Sequence, residues 1–381
     1  MRGWKASAHG RGVSPTSSPD AREPVRAGFL LREGLGEARR VALGGDASTR
    51  RYERLHPADG ASLILMDQPP AAESRPCPPE ADAAERARLG YNALARLAAG
   101  RVEAFAACAG WLRGQGLSAP AVHAHDDAAG LAVLEDLGDD LYAAVLARGG
   151  DEGELYNAAI EALSALHRAP APERLEGAGA SWPLLTYDDL ALRTAGDLFV
   201  DWLPALGAVP PFTPEARAEW EAFWAPVRAC GEARAEVFCH RDYHAENLVW
   251  LPEREGAARV GLLDFQDAVR APRAWDLSML LHDARRDVSP DLRAHALDRY
   301  LSLEAGRVEP EVLRADFALF GALNIVRIIG VFHRLVGRDG KPRYREFLPR
   351  MWGHLHEVLA HPELAPLARW LDRHVPAEAR T

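Results

Sequence analysis

The stretch Cys239-His240-Arg241-Asp242-Tyr243-His244-Ala245-Glu246-Asn247-Leu248-Val249-Trp250, followed by Val260-Gly261-Leu262-Leu263-Asp264-Phe265-Gln266-Asp267, decides how the rest of the chain reads. The residues after Asn247 form a short apolar strand, Pro252 to Ala258 is a polar turn containing Gly256, and residues 260–263 are a returning strand. In such a hairpin the start of the first strand lies beside the end of the second. Asn247 and Asp264 are therefore expected side by side, an amide oxygen and a carboxylate that make a hard-oxygen pair suited to Mg²⁺. Asp242, in the loop before Asn247, projects toward the same end.

Phosphoryl transfer asks for these groups. One carboxylate orients an acceptor hydroxyl and takes its proton, and two ligands hold Mg²⁺ against the phosphates of ATP. The pattern H-R-D-x-x-x-x-N followed by D-F-G supplies them in kinases. Here it reads His240-Arg241-Asp242…Asn247 and then Asp264-Phe265-Gln266, with glutamine as the third letter. Taken singly, Asp242, Asn247 and Asp264 read as turn, capping or strand-end residues; at this joint spacing they read as catalytic base and metal ligands. His240 and Asp276 read as braces of the loop.

Outward from this segment the chain divides in two. Val41 to Leu43, Thr49 to Leu55 and Ala61 to Met66 read as an antiparallel meander, with two more strands at 120–125 and 131–134. Helical spacing covers 80–99 and 101–114 in between. After Gly138 the pattern is mainly helical, over 140–147, 153–168, 187–206, 214–230, 290–302, 309–336 and 346–375, broken by the β-like segment 237–265. The expected fold class is α+β, a two-lobed protein-kinase-like arrangement with a small antiparallel-sheet N-lobe and a mainly helical C-lobe. Residues 1–23, rich in Ser, Pro, Gly and Arg, read as a disordered tail; 24–137 read as the nucleotide-binding N-lobe and 138–381 as the C-lobe with catalytic loop, metal site and acceptor pocket.

Bulk properties agree. The formal net charge of −10 gives no basic stripe for nucleic acid. No apolar run reaches the ~18 residues of a membrane span, and no signal peptide is evident. The four cysteines, Cys77, Cys108, Cys230 and Cys239, lack zinc-site spacing and read as reduced thiols. The expected protein is a cytoplasmic monomer that meets ATP and a small molecule, with no nucleic-acid or membrane partner. Lysine occurs only at positions 5 and 341. The third strand, Leu63-Ile64-Leu65-Met66, thus lacks the lysine that usually holds the α/β-phosphates. Arg50 or Arg51 can take its place, since guanidinium binds phosphate oxygens in bidentate fashion, but strand alternation lets only one of them face the cleft.

The motif resembles that of the aminoglycoside phosphotransferase and choline kinase superfamily, with its H-x-D-x-x-x-x-N and D-[FW]-x-D segments. Gly45-Asp46-Ala47-Ser48-Thr49-Arg50-Arg51-Tyr52, Leu65-Met66-Asp67-Gln68-Pro69-Pro70, Asp264-Phe265-Gln266-Asp267 and Arg338-Asp339-Gly340-Lys341 resemble more narrowly the N-acetylmuramate/N-acetylglucosamine anomeric kinases of cell-wall recycling. The resemblance spans roughly residues 35–360. It implies an ATP-dependent sugar kinase that makes a sugar 1-phosphate, with Asp242 as base and Asn247 and Asp264 on Mg²⁺. It further implies that Gly45, Asp46, Ala47 and Ser48 cover the ATP phosphates and that the backbone of Glu135 to Leu137 meets the adenine.

The acceptor pocket is less marked. Tyr187, Arg193 and Trp202 are the candidates in 182–202, because a sugar suits an aromatic floor with charged side groups. The lactyl carboxylate of a muramate would want an arginine: Arg193, Arg327 or Arg334. Two other readings stand beside this one. An aminoglycoside kinase would use acidic pairs such as Asp139-Asp140 and Asp188-Asp189 against a polycation. A non-catalytic pseudokinase would account for the missing strand lysine.

Overall fold

The computed structural model describes residues 20–44, 50–69, 75–207 and 209–380. Helix α1 (Glu23–Arg32) precedes three antiparallel strands, β1 (Arg39–Leu43), β2 (Arg51–His56) and β3 (Leu63–Asp67). Helices α2 (Ala83–Leu89), α3 (Tyr91–Leu94) and α4 (Val102–Gly114) then lead to β4 (Val122–Asp126) and β5 (Leu131–Glu135). The sheet order is β1-β2-β3-β5-β4, antiparallel throughout. Leu65, Leu131 and Val133 alternate onto one face, where they bury with Phe29 and Leu30 of α1. Met66, Ala132 and Leu134 turn to the other face and join the main core.

Structure begins earlier than the tail expected up to residue 23. Arg22 and Arg26 both hold the buried Asp67 at the end of β3, with Arg22 Nε at 3.0 Å and Arg26 Nη1 at 2.9 Å. Asp20 in turn accepts from Arg26 at 2.6 Å and from Arg51 at 2.9 Å. The apolar face of α1 was masked in the sequence by the arginines around it. The helix expected over 80–99 is also broken: Gly90 turns at φ +92°, and Arg96 and Ala99 carry positive φ.

The C-lobe continues with α5 (Tyr142–Ala147), α6 (Glu152–Arg168), the hairpin β6 (Arg174–Gly177)–β7 (Ala180–Pro183), α7 (Asp189–Trp202) and α8 (Pro214–Ala233). Strands β8 (Val237–Cys239), β9 (Leu248–Trp250), β10 (Val260–Leu262) and β11 (Val269–Ala271) carry the motif segment. Helices α9 (Ala274–Leu281), α10 (Pro290–Leu303), α11 (Pro310–Gly337), α12 (Leu348–Val358) and α13 (Ala365–His374) complete it. The single helix expected over 346–375 is two, because Pro362 and Pro366 break it between α12 and α13. The small β6–β7 hairpin, β11 and α9 lie outside the expected pattern; each element is only three to eight residues long, so periodicity is weak.

Helix α11 organises the C-lobe by crossing α7 and packing on α9 and α12. Among the described residues it is the one helix long and apolar enough to cross a membrane, but 72% of that apolar window is buried in the protein. Its contact with α7 is very close at Gly330, where a Cβ would fall 2.3 Å from the Leu198 carbonyl carbon. Gly330→Ala is expected to force the helices apart and lower stability by about 1–3 kcal/mol, as overpacking does. Urea unfolding checks this, and a midpoint equal to that of the wild type would refute the tight crossing.

Candidate active site

The loop 240–247 is tied at both ends by strand pairing: Cys239 pairs with Val269 across β8–β11, and Leu248 with Leu262 across β9–β10. The Leu263 amide donates to the Asn247 carbonyl at 2.9 Å, extending the β9–β10 ladder to the residue before Asp264. The hairpin thus brings Asn247 and Asp264 together as the sequence predicts. Asn247 Nδ2 donates to the Asp242 carbonyl at 2.9 Å, which fixes the amide to the loop.

Beneath the loop sits Asp276, fully buried in the first turn of α9. Its carboxylate accepts from the backbone N–H of His240 at 2.7 Å and of Arg241 at 2.8 Å, and from Cys239 Sγ at 3.2 Å. Burial pushes its acidity down, but His167, His240 and these donors outweigh that, so its pKa lies below the usual carboxylate range. His240 is likewise buried, and its Nδ1 accepts from the Asp242 amide at 3.3 Å. Both residues brace the loop, as the sequence reading has them. Arg241 at φ +80° and Asp264 at φ +61° are non-glycine residues in the left-handed region. Such strain persists only where the surroundings over-determine it. For Arg241 those surroundings are the carbonyls of Ala95 at 2.9 Å and Arg96 at 3.3 Å, and the Tyr187 ring 4.5 Å from the guanidinium carbon.

Two cavities meet at this point. One, of about 520 Å³, lies between the lobes and is lined by Leu43, Arg50, Ile64, Leu137, Asn247 and Asp264 among others. The second, of about 190 Å³, lies in the C-lobe and includes Asp242, His244, Asp264, Asp283, Arg285 and Arg327. Asp264 is the one residue lining both. Asp242 thus faces the smaller cavity, Asn247 the larger, and the Asp264 carboxylate their junction.

Arg50 answers the question left by alternation. Its Nη2 lies 2.6 Å from Asp264 and its Nη1 3.0 Å from Gln266 Oε1, while Gln266 Nε2 donates to Asp264 at 3.0 Å. The three side chains close a triangle in which glutamine, standing where kinases carry glycine, joins the cation to the carboxylate. Burial would raise the Asp264 pKa, yet the Arg50 charge and the Gln266 and Arg50 hydrogen bonds outweigh it and hold the group below its usual range. Arg51 points out to solvent and pairs with Asp20.

The other expected residues divide. Gly45, Asp46, Ala47 and Ser48 lie outside the described residues. Glu135 and Leu137 line the larger cavity; the Glu135 carboxylate is held by Arg254 at 2.8 Å and the Ala121 amide at 3.0 Å. Arg54, unremarked in the sequence, ties β2 to the interlobe turn through Asp136 at 2.6 Å and Asp139 at 2.8 Å.

The acceptor candidates of 182–202 lie elsewhere. Tyr187 is fully buried, edge-on to Trp275 and beneath Arg241, so it supports the loop and offers no surface to a sugar. Arg193 is exposed on α7 and pairs with Asp197 at 3.4 Å and Glu221 at 3.5 Å. Trp202 at the end of α7 stacks against Arg338. None of the three lines the cavity with Asp242. That cavity draws instead on His282 to Arg285 after α9 and on Arg327 of α11. The signal for Arg327 was present: between Phe317 and His333 it is the only Asp, Glu, Lys or Arg in an apolar run. His244, buried beside it, is pushed by burial down to about 4 and is neutral near pH 7.

Comparison with known proteins agrees with this geometry. Residues 39–315 match the phosphotransferase enzyme family. The chain is 63% identical over 94% of its length to an N-acetylmuramate/N-acetylglucosamine kinase of Caulobacter vibrioides, 98% of which is covered. It is 34% identical over 90% of its length to a protein of the same name from Pseudomonas aeruginosa, 91% of which is covered. Among solved structures, a Plasmodium vivax ethanolamine kinase superposes with a TM-score of 0.54 at 10% identity, over 92% of this chain and 90% of that one. A choline kinase from Streptococcus pneumoniae does so with 0.52 at 15% identity, over 90% and 98%. The two-lobed fold, the paired loop and hairpin, and these matches make the chain a member of the phosphotransferase enzyme family, an enzyme of the kinase type.

Proposed function

We propose that the enzyme transfers the γ-phosphoryl group of ATP to the anomeric hydroxyl of an N-acetyl amino sugar, N-acetylmuramate or N-acetylglucosamine, in the cytoplasm and as a monomer. The observation that carries the proposal is the junction of the two cavities at Asp264, with a carboxylate on the acceptor side and an amide on the nucleotide side. The 63% identity to a kinase named for these two sugars supports the acceptor class. The apolar residues Ile64, Leu134, Val249 and Leu263 of the larger cavity suit a flat adenine between the lobes, beside the backbone of Glu135 to Leu137.

The sugar hydroxyl lies against Asp242. As its oxygen attacks the γ-phosphorus, the Asp242 carboxylate takes the proton, the new O1–P bond forms, and the bond from the γ-phosphorus to the bridging β–γ oxygen breaks. The products are the sugar 1-phosphate and ADP. An anomeric hydroxyl is more acidic than an ordinary alcohol, so a carboxylate is an adequate base. Asn247 and Asp264, neighbouring oxygen donors that line the larger cavity, would hold Mg²⁺. Such an ion would neutralise charge on the phosphate oxygens. Arg50, held to Asp264 by Gln266, takes the phosphate role of the missing lysine, aided by Gly45, Asp46, Ala47 and Ser48 shortly before it in the sequence.

A polycationic acceptor fits poorly. Asp188 is engaged by Arg86 and Arg96 at 2.6 Å each, Asp189 by Arg228 at 2.9 Å, Asp139 by Arg54 at 2.8 Å and Asp140 by Arg148 at 2.7 Å. The filled cation position at Arg50 likewise removes the argument for a pseudokinase.

With Mg-ATP, the enzyme is expected to release ADP on N-acetylmuramate and on free N-acetylglucosamine, but not on N-acetylglucosamine blocked at its anomeric oxygen or on kanamycin. Turnover of the blocked sugar would sink the anomeric assignment. Asp242→Asn is expected to lower kcat by about a hundredfold to ten-thousandfold with nucleotide binding retained; equal activity would remove Asp242 from the chemistry. Arg50→Ala is expected to raise the KM for ATP about tenfold or more, the worth of a charge-assisted contact, with partial recovery in Arg50→Lys. Arg51→Ala, which loses only a surface ion pair, should stay within about twofold; the reverse ranking would assign the phosphates to Arg51.

A further inference from the structure

The two sugars named for the relatives differ at one place. N-Acetylmuramate carries a lactyl ether, and with it a carboxylate, on C3; C2 and its acetamido group separate that carbon from the reacting hydroxyl on C1. A site that handles both sugars needs a group that meets the carboxylate without being required by the ring. Such a group is a cation, close to the base, that the protein itself has not neutralised.

The smaller cavity contains two arginines, and their surroundings differ. Arg285 is already paired: its Nε lies 2.7 Å from the Glu246 carboxylate. Arg327 has no carboxylate within ion-pair distance among the described residues. Its Nε donates to Asn324 Oδ1 at 2.9 Å, its Nη2 lies 3.6 Å from the Met279 sulfur, and its guanidinium carbon is 5.7 Å from the Trp275 ring. All three partners are neutral. They orient the guanidinium plane and leave Nη1 without a hydrogen bond among the described residues.

The position makes this costly. Arg327 is half-buried on α11, and the apolar lining of the cavity it enters comes from Met279, Ile328, Val331 and Phe332. Placing a cation there without a counter-charge is unfavourable, and the groups it meets on the protein, Asn324 and the Met279 sulfur, take hydrogen bonds without neutralising its charge. The charge is explained if the missing partner is a ligand. His282 lines the same cavity, and burial lowers its pKa, so it is not a competing cation near neutral pH.

Resting on the amino-sugar reading above, we propose that Arg327 is the specificity residue for the acceptor: its guanidinium receives the lactyl carboxylate of N-acetylmuramate, while N-acetylglucosamine binds the same cavity through its ring alone. Guanidinium meets carboxylate through two parallel N–H···O bonds, a geometry that lysine cannot reproduce.

The test compares the two sugars on one enzyme and reads the ratio of their kcat/KM values. In Arg327→Gln the ratio of N-acetylmuramate to N-acetylglucosamine is expected to fall about tenfold or more, as for a lost charged hydrogen bond. Arg327→Lys, which keeps the charge but not the fork, should recover part of it. The methyl ester of N-acetylmuramate supplies the complementary probe: wild type should disfavour the ester against the acid, and Arg327→Gln should treat the two alike. A ratio unchanged in Arg327→Gln, or a wild type indifferent to the ester, overturns the assignment. Wild type silent on both sugars overturns the amino-sugar reading, and this inference with it.

Discussion

The carboxylate of Asp276 holding two consecutive backbone amides is the contact on which the active centre depends. It fixes the Arg241 amide, and together with the contacts of the Arg241 side chain it holds that residue in the left-handed region, a conformation that a side chain of that size rarely adopts. The clamp is buried and charge-assisted, so each hydrogen bond is strong and each would be expensive to leave unmade. Arg241 then spans from the loop to the carbonyls of Ala95 and Arg96, and Tyr187 closes the gap beneath it. The placement of Asp242 is thus set by packing that reaches from α9 across to the segment before α4.

The Arg50–Gln266–Asp264 triangle shows how a local substitution is absorbed. Removing lysine from β3 leaves room for a longer side chain to come from the residue just before β2. Glutamine in place of glycine after Phe265 supplies the second hydrogen-bonding partner that fixes the direction of the guanidinium. The two departures from the common kinase pattern, one on each lobe, are in contact with one another. They are better understood as one change than as two.

What was legible in the sequence was what is local. The spacing of Asp242, Asn247 and Asp264 lies within a single loop and hairpin, and the hairpin's period and turn residues determined which of them would be neighbours. The choice between Arg50 and Arg51 was not legible, because it depends on where β2 begins, a boundary that propensity does not resolve. The smaller cavity was illegible for a different reason. It is assembled from the turn after α9 and from the middle of α11, segments brought together by the packing of α11 on α9, where Gly321 faces Ser278 and His282. The aromatics that looked suited to a sugar, Tyr187 and Trp202, were drawn instead into supporting Arg241 and Arg338. The isolated charge in α11 was the better guide, since the neighbours it finds there, Asn324 and Met279, leave its charge unneutralised.

That one carboxylate borders both cavities has a thermodynamic consequence. Any ligand that alters the charge or orientation of Asp264 from one side changes what the other side presents. The two binding equilibria are therefore linked, and linkage is reciprocal: the factor by which nucleotide alters sugar affinity is the factor by which sugar alters nucleotide affinity. Adaptation of this enzyme to a new acceptor through residues touching Asp264 would retune its grip on nucleotide as well, whereas changes confined to the far wall of the smaller cavity leave that coupling intact.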